Sequence, residues 1–226
     1  MNSICKATFI VMFFSVAVFS DPSVYIGGGL NISSTTATDS LSATKTPRQG
    51  FNLGLGFEQS LTDKISLISG FSMETRGERT KSTTDIGDAS GAVISVVESN
   101  VNLFYMQIPL FVQFNIPVGP GKINLFAGPE MGIMLVAELQ TVDNTTIPST
   151  GVALPAIYDT LDIANKMKMA DAGISLGIGY EFTFGKSALF FRPSYYQGFV
   201  DYFVKSPEGV LRNIKLLIGY KFTFSK

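Results

Sequence analysis

The C-terminal residues 213–224 read Asn-Ile-Lys-Leu-Leu-Ile-Gly-Tyr-Lys-Phe-Thr-Phe and alternate along their whole length. Ile214, Leu216, Ile218, Tyr220, Phe222 and Phe224 share one phase of a period of two; Asn213, Lys215, Leu217, Gly219, Lys221 and Thr223 share the other. Successive side chains of a strand point to opposite faces, so this pattern predicts a strand with one apolar face. It is long enough for the roughly 9–11 residues that a transmembrane barrel strand needs. Its closing Tyr-x-Phe-x-Phe puts rings where a membrane interface would lie. Residues 176–186 repeat the phrase, sharing Leu, Ile, Gly, Tyr, Phe, Thr, Phe and Lys in register with residues 216–226. Two copies of one strand point to an architecture of equivalent strands.

Six further alternating stretches accompany these two, at residues 23–32, 51–59, 65–78, 101–116, 123–138 and 188–200, while the earlier copy of the phrase belongs to a strand at 170–184. The connections between the eight alternate long and short. Polar segments at 33–50, 79–100, 139–169 and 201–212 alternate with tight turns at 60–64, 117–122 and 185–187. Within the longest, residues 156–167 fit either a short helix or a strand extension. Long loops outside and short turns in the periplasm are the habit of outer-membrane barrels. The expectation is an all-β fold: an eight-stranded antiparallel up-and-down transmembrane β-barrel, preceded by a signal peptide.

That signal is read at residues 1–20. Lys6 precedes an apolar run at 9–19, Ser20 closes it and Asp21 follows; the run is too short to anchor a chain in a bilayer. The barrel domain is then 21–226. The sole cysteine, Cys5, would leave with the signal, so no disulfide is expected in the mature chain. Charged residues amount to 15%, against about 25% in soluble domains. Acidic and basic residues nearly balance, 18 against 17. No basic stripe is present, which argues against nucleic acid as a partner. The partners expected are outer-membrane lipid, the barrel-assembly machinery during insertion, and an extracellular or periplasmic protein of unknown identity.

Which face meets lipid is set by glycine. The non-aliphatic phase carries Gly54, Gly56, Gly70, Gly128, Gly132, Gly173, Gly177, Gly179 and Gly219. Glycine weakens a water-facing strand, but the interior of an eight-stranded barrel is only wide enough to be filled by side chains. The aliphatic and aromatic phase is therefore assigned to lipid. The inward phase also holds Glu58, Glu74, Arg76, Glu130, Asp171, Glu181, Arg192, Lys215 and Lys221. Charges in so narrow a space must be paired. With Lys186 and Ser187 as the turn, residues numbered to a sum of 373 face each other, which predicts a direct cross-strand ion pair between Glu181 and Arg192. Glu58 and Lys221 are expected at a similar height, with Glu74, Arg76, Glu130 and Lys215 in a higher layer. The ions are read as a plug that specifies the fold, with a gated narrow conduit as the alternative.

Tyr105-Met106-Gln107-Ile108-Pro109-Leu110 resembles the Tyr-Leu-Glu-Ile-Pro-Leu phrase of the PorT-like outer-membrane β-barrel domain proteins, often labelled the porin family, with Gln107 replacing their Glu. The glycine-spaced run Asp171, Gly173, Gly177, Gly179, Tyr180, Glu181 is similar to that family's sixth strand. This resemblance spans roughly residues 23–226 and implies a small integral outer-membrane barrel. It departs from the family at the end, which runs Phe224-Ser225-Lys226 rather than stopping on the aromatic, and at Leu217.

Enzymatic chemistry is not expected. The chain has no His, and a Ser nucleophile needs an adjacent base. Zinc and iron–sulfur ligation lack their usual donors, and Asp85, Asp88 and Asp143 with Asn144 lack the dense spacing of a calcium loop. No cofactor is expected. The role anticipated is a non-enzymatic scaffold or anchor displaying loops 33–50, 79–100 and 139–169; the alternatives are a narrow porin-like channel for small solutes or a component of a protein secretion assembly.

Overall fold

The structure, a computed structural model, describes residues 22–36, 44–88, 91–147, 152–201 and 209–224. The signal segment, Cys5 and the last two residues lie outside them. Eight long antiparallel strands form the frame: β1 (Pro22–Thr35), β2 (Thr44–Ser60), β3 (Ile65–Asp88), β4 (Gly91–Val118), β5 (Gly121–Ile147), β8 (Ala170–Phe184), β9 (Ser187–Asp201) and β10 (Val210–Thr223). Two short strands, β6 (Val152–Ala153) and β7 (Ile157–Asp162), and a 3₁₀ turn at Ala164–Lys166 lie between β5 and β8. Each long strand pairs with its neighbour, β4 pairs with β5, and β1 pairs with β10 from Ser23–Thr223 up to Thr35–Leu211. The ring is closed, which leaves none of its strands with a bare edge along the common span.

The outward phase is apolar. Leu30 is 67% exposed and Phe71 and Leu55 are each 59% exposed, whereas Glu74 and Arg76 on the inward phase have no accessible surface. At the short-turn end the two copies of the repeated phrase supply an aromatic girdle. The rings of Phe182 and Phe184 lie 6.2 Å apart, Phe184 and Tyr220 6.3 Å, and Phe222 and Phe224 5.1 Å. The repeat acquires a structural meaning: β8 and β10 flank the same strand, β9. The copies differ in charge at equivalent positions, Glu181 and Lys221, and these two side chains bond to each other at 2.5 Å.

The inward glycines make room for large interior side chains. A Cβ on Gly177 would fall 2.3 Å from the Phe126 ring, one on Gly219 2.4 Å from that of Phe190, and one on Gly132 2.4 Å from the Gln107 amide. Among the described residues positive φ falls on three glycines: Gly119 at +57° and Gly185 at +63° in the tight turns, and Gly77 at +146° within β3, where a Cβ would fall 1.9 Å from Val101 O.

Two expectations about the connections are corrected. Much of 33–50 and of 79–100 is strand rather than loop. β2 begins at Thr44, and β3 and β4 stay paired from Glu78–Val101 out to Asp88–Gly91. β5 follows to Ile147, and β7 adds to its flank from Glu138–Asp162 to Asp143–Ile157. With water on both faces these segments need no apolar phase, so alternation could not reveal them. The stretch 156–167 turns out to hold both alternatives, strand β7 and then the 3₁₀ turn.

Candidate functional site

The interior is stratified. Four layers succeed one another from the short-turn end upward, and each strand contributes to several of them because its inward residues recur every second position.

The lowest layer is ionic. Glu58 on β2 accepts from Arg192 Nη2 at 2.9 Å, from Lys221 Nζ at 3.2 Å and from the Gln113 amide at 3.2 Å. Glu181 on β8 binds Lys221 at 2.5 Å, and Lys122 lies 3.3 Å from Glu181 and 3.8 Å from Glu58. Above it lies an apolar layer built on Tyr25, Ile68 and Phe190, with Phe111 and Leu217 against them. Tyr25 meets Phe190 edge-on at 5.7 Å, and Phe111 stacks on Phe126 at 5.5 Å. The Arg192 guanidinium lies 4.5 Å from the Phe190 ring centre, tying this layer to the one below.

The third layer is ionic again. Arg76 on β3 is fully buried. Its Nε donates to Glu74 at 2.6 Å and its Nη1 to Asp171 at 2.8 Å, with Glu130 at 3.6 Å from Nη2. Lys215 on β10 bonds Glu130 and stands 3.4 Å from Glu74. Ser175 donates to Glu130 at 2.6 Å and the Tyr196 hydroxyl to Asp171 at 2.7 Å. Gln107 sits between the two charged arms. With its amide turned to suit them, it donates to Glu130 at 3.2 Å and accepts from Arg76 at 3.1 Å. The Arg76 guanidinium also faces the rings of Tyr196 and Tyr105, at 4.2 and 5.2 Å.

The top layer is apolar: Leu103, Tyr105, Met134, Ala137, Tyr196 and Leu211 gather around Ile163 and Met167, which come from the connection after β7. Ile163 N–H donates to Ala137 O at 3.0 Å, so this connection folds into the mouth of the ring. A cavity of about 70 Å³ remains between the layers, bordered by Asn52, Glu74, Phe126, Glu130, Arg192 and Lys215.

The two ionic layers carry opposite formal charge. The lower sets Lys122, Arg192 and Lys221 against Glu58 and Glu181, an excess of one positive charge. The upper sets Arg76 and Lys215 against Glu74, Glu130 and Asp171, an excess of one negative charge. The described interior network is thus neutral as a whole, as burial of ions requires.

The register expected for Glu181 is corrected. β8 and β9 pair at a sum of 371, with Phe184 opposite Ser187 and Glu181 opposite Phe190. Gly185, not Lys186, takes the first central position of the turn. Glu181 and Arg192 are therefore diagonal, 3.8 Å apart, and each has a closer partner, Lys221 and Glu58 respectively. Of the resemblance-derived residues, Tyr105, Gln107 and Pro109 point inward on β4 and Asp171, Gly173, Gly177 and Gly179 line β8. Sequence reasoning omitted Lys122, which sits beside a turn, and the interior rings Tyr25, Phe111, Phe126 and Phe190. Parity held the signal for the rings: they share the phase of Glu58, Gln113, Glu130 and Arg192 on their own or neighbouring strands.

The match that decides the family covers residues 21–204, against the model described as "Outer membrane protein beta-barrel domain". The chain belongs to that family. It is accordingly a bacterial outer-membrane barrel, its apolar face on lipid and its ionic layers inside. No curated protein matches the sequence. Among solved structures it is similar to Ail, the attachment invasion locus protein of Yersinia pestis, at 13% identity over 90% of this chain and 99% of that one, with a TM-score of 0.42. It is also similar to Neisserial surface protein A, at 10% identity over 89% and 96% with a TM-score of 0.43. A third is OprG from Pseudomonas aeruginosa, at 12% identity over 92% and 98% with a TM-score of 0.36. The fold itself rests on this chain's own closed ladder.

Proposed function

We propose that this barrel is a non-enzymatic outer-membrane scaffold that anchors a projecting β-sheet on the cell surface, its bore plugged by the stratified interior. The observation that carries this reading is the alternation of ionic and ring-filled layers, capped by Ile163 and Met167. A conducting pore needs a continuous wet path, and each apolar layer would interrupt it. The extended parts of β3, β4 and β5, with β7 beside them, supply the displayed surface, where partner specificity would reside.

Planar-bilayer recordings test this. The refolded barrel is expected to give no steady conductance, and Arg192→Ala is expected to leave it silent because the Phe190 layer stays in place. Steady opening that changes with Arg192→Ala would replace the scaffold by the narrow porin-like channel. We also propose that residues 1–20 are removed as a signal peptide, leaving 21–226 as the barrel domain; N-terminal sequencing of protein from outer membranes should begin at Asp21. We also place the chain in the PorT-like branch of the family, on the Tyr105–Leu110 phrase and the glycine-spaced run from Asp171 to Glu181. Membership in a secretion assembly would need co-purification of a stable complex from membranes. Insertion by the barrel-assembly machinery, and an extracellular or periplasmic protein partner, belong to the same proposal.

A further inference from the structure

The short-turn end of the barrel opens into a basin of about 680 Å³, within the roughly 300–1,000 Å³ usual for small-ligand sites. Its floor is the lower ionic layer, and the layers above make it blind. Ser23, Ser60, Thr183 and Thr223 line its walls, and Lys122 and Lys186 also line it. The charge arrangement gives the basin a sign. Each floor carboxylate already holds a buried cation at close range: Glu181 has Lys221 at 2.5 Å and Glu58 has Arg192 at 2.9 Å. The side chains of those four are at most 5% exposed. Lys122 is a third cation on two matched carboxylates, at the longer distances of 3.3 and 3.8 Å, and its side chain is 25% exposed. A low-dielectric wall around such an excess focuses its field into the opening.

We infer that this basin is an oxyanion-binding site facing the periplasm, taking a compact ligand that presents carboxylate or phosphate oxygens to Lys122 and hydrogen-bond acceptors to the hydroxyl-lined wall. The top layer closes the other mouth, so the ligand enters from the periplasmic side. A lysine ammonium suits such a ligand as a point charge with three rotatable donors.

The test uses the full barrel refolded in detergent and isotope-labelled, with the amides of Gly119, Gly121 and Gly185 as reporters at the rim. Inorganic phosphate and citrate are titrated separately against sodium chloride at constant ionic strength. Saturable shifts at these glycines are expected. Lys122→Gln should weaken binding roughly tenfold, the order of one lost charge-assisted hydrogen bond, while Lys122→Arg and the control Lys64→Gln, in a different turn, should retain it. Tighter binding of phosphate or of citrate identifies which oxyanion the basin prefers. The inference is overturned if neither anion gives saturable shifts, or if Lys122→Gln, still migrating as a folded barrel on unheated gels, binds as tightly as the parent.

Discussion

Replacing Arg76 by Met removes the one cation that touches all three carboxylates of the upper layer. Lys215 remains within reach of Glu74 and Glu130, and Ser175 and Asn213 still donate to those two. Asp171 is left with the Tyr196 hydroxyl alone. At an effective dielectric of ~20, the Arg76–Asp171 attraction at 2.8 Å is about 6 kcal/mol before desolvation is counted. Breaking one partner out of a buried pair typically costs about 3–5 kcal/mol, and losing the contacts with the rings of Tyr105 and Tyr196 adds ~1 kcal/mol. Arg76→Met should therefore destabilise the barrel by about 4–6 kcal/mol. The decisive comparison is with Asp171→Asn. Alone it leaves the layer with two cations and two carboxylates, and should cost only ~1–2 kcal/mol, the order of its lost hydrogen bonds. Combined with Arg76→Met it restores the parent's excess of one negative charge. The double variant should thus be more stable than Arg76→Met alone, a coupling of roughly 2 kcal/mol or more. The chain has no Trp, so urea unfolding in phospholipid vesicles is best followed by far-UV circular dichroism. Additivity within about 0.5 kcal/mol, or a double variant weaker than Arg76→Met, would refute the claim that these ions act as one unit.

Three further outcomes follow from the same geometry. Leu55→Arg places a charge on the outward face, where Leu55 is 59% exposed; it should cost about 2–4 kcal/mol in a bilayer, and a change below ~0.5 kcal/mol in vesicle unfolding would mean that this face does not meet lipid. Joining Thr80 to Ser99, which are paired across β3 and β4, through an Asn-Gly turn removes the tip of the projecting hairpin; the shortened barrel should keep its compact migration on unheated gels, and loss of that form would show that the projection is needed for folding. Glu181→Lys sets like charges beside Lys221 and Lys122, and Lys221→Glu does the same beside Glu58; each should destabilise by several kcal/mol, and the exchange of both charges should cost less than the sum of the two, because it restores the 181–221 pair while the contacts with Lys122 and Glu58 stay unfavourable, an outcome that additive costs in urea titrations would contradict.

How far the sequence carried follows from what alternation can and cannot encode. A period of two assigns each side chain to a face, and the division into a greasy exterior and an ionic interior needs nothing more. It carries no height and no partner. Those depend on register, and register depends on the residue at which a turn pivots. Placing the pivot on Lys186 rather than on Gly185, where φ is +63°, moves every pairing sum on β8 and β9 by two. Glu181 then faces Arg192 instead of Phe190, although both stay on the correct face. The projecting parts of β3 and β4 were hidden for the opposite reason. Thr83, Thr84, Val96 and Val97 favour strands as β-branched residues, but a segment wet on both sides has no face to protect and so shows no phase. The repeated phrase lies between these cases. Its two copies are visible as text, and so is their one reversal of charge, Glu181 against Lys221. That the reversal is a bond, rather than drift between duplicates, requires knowing that both copies border β9, a consequence of ring closure that no local pattern contains.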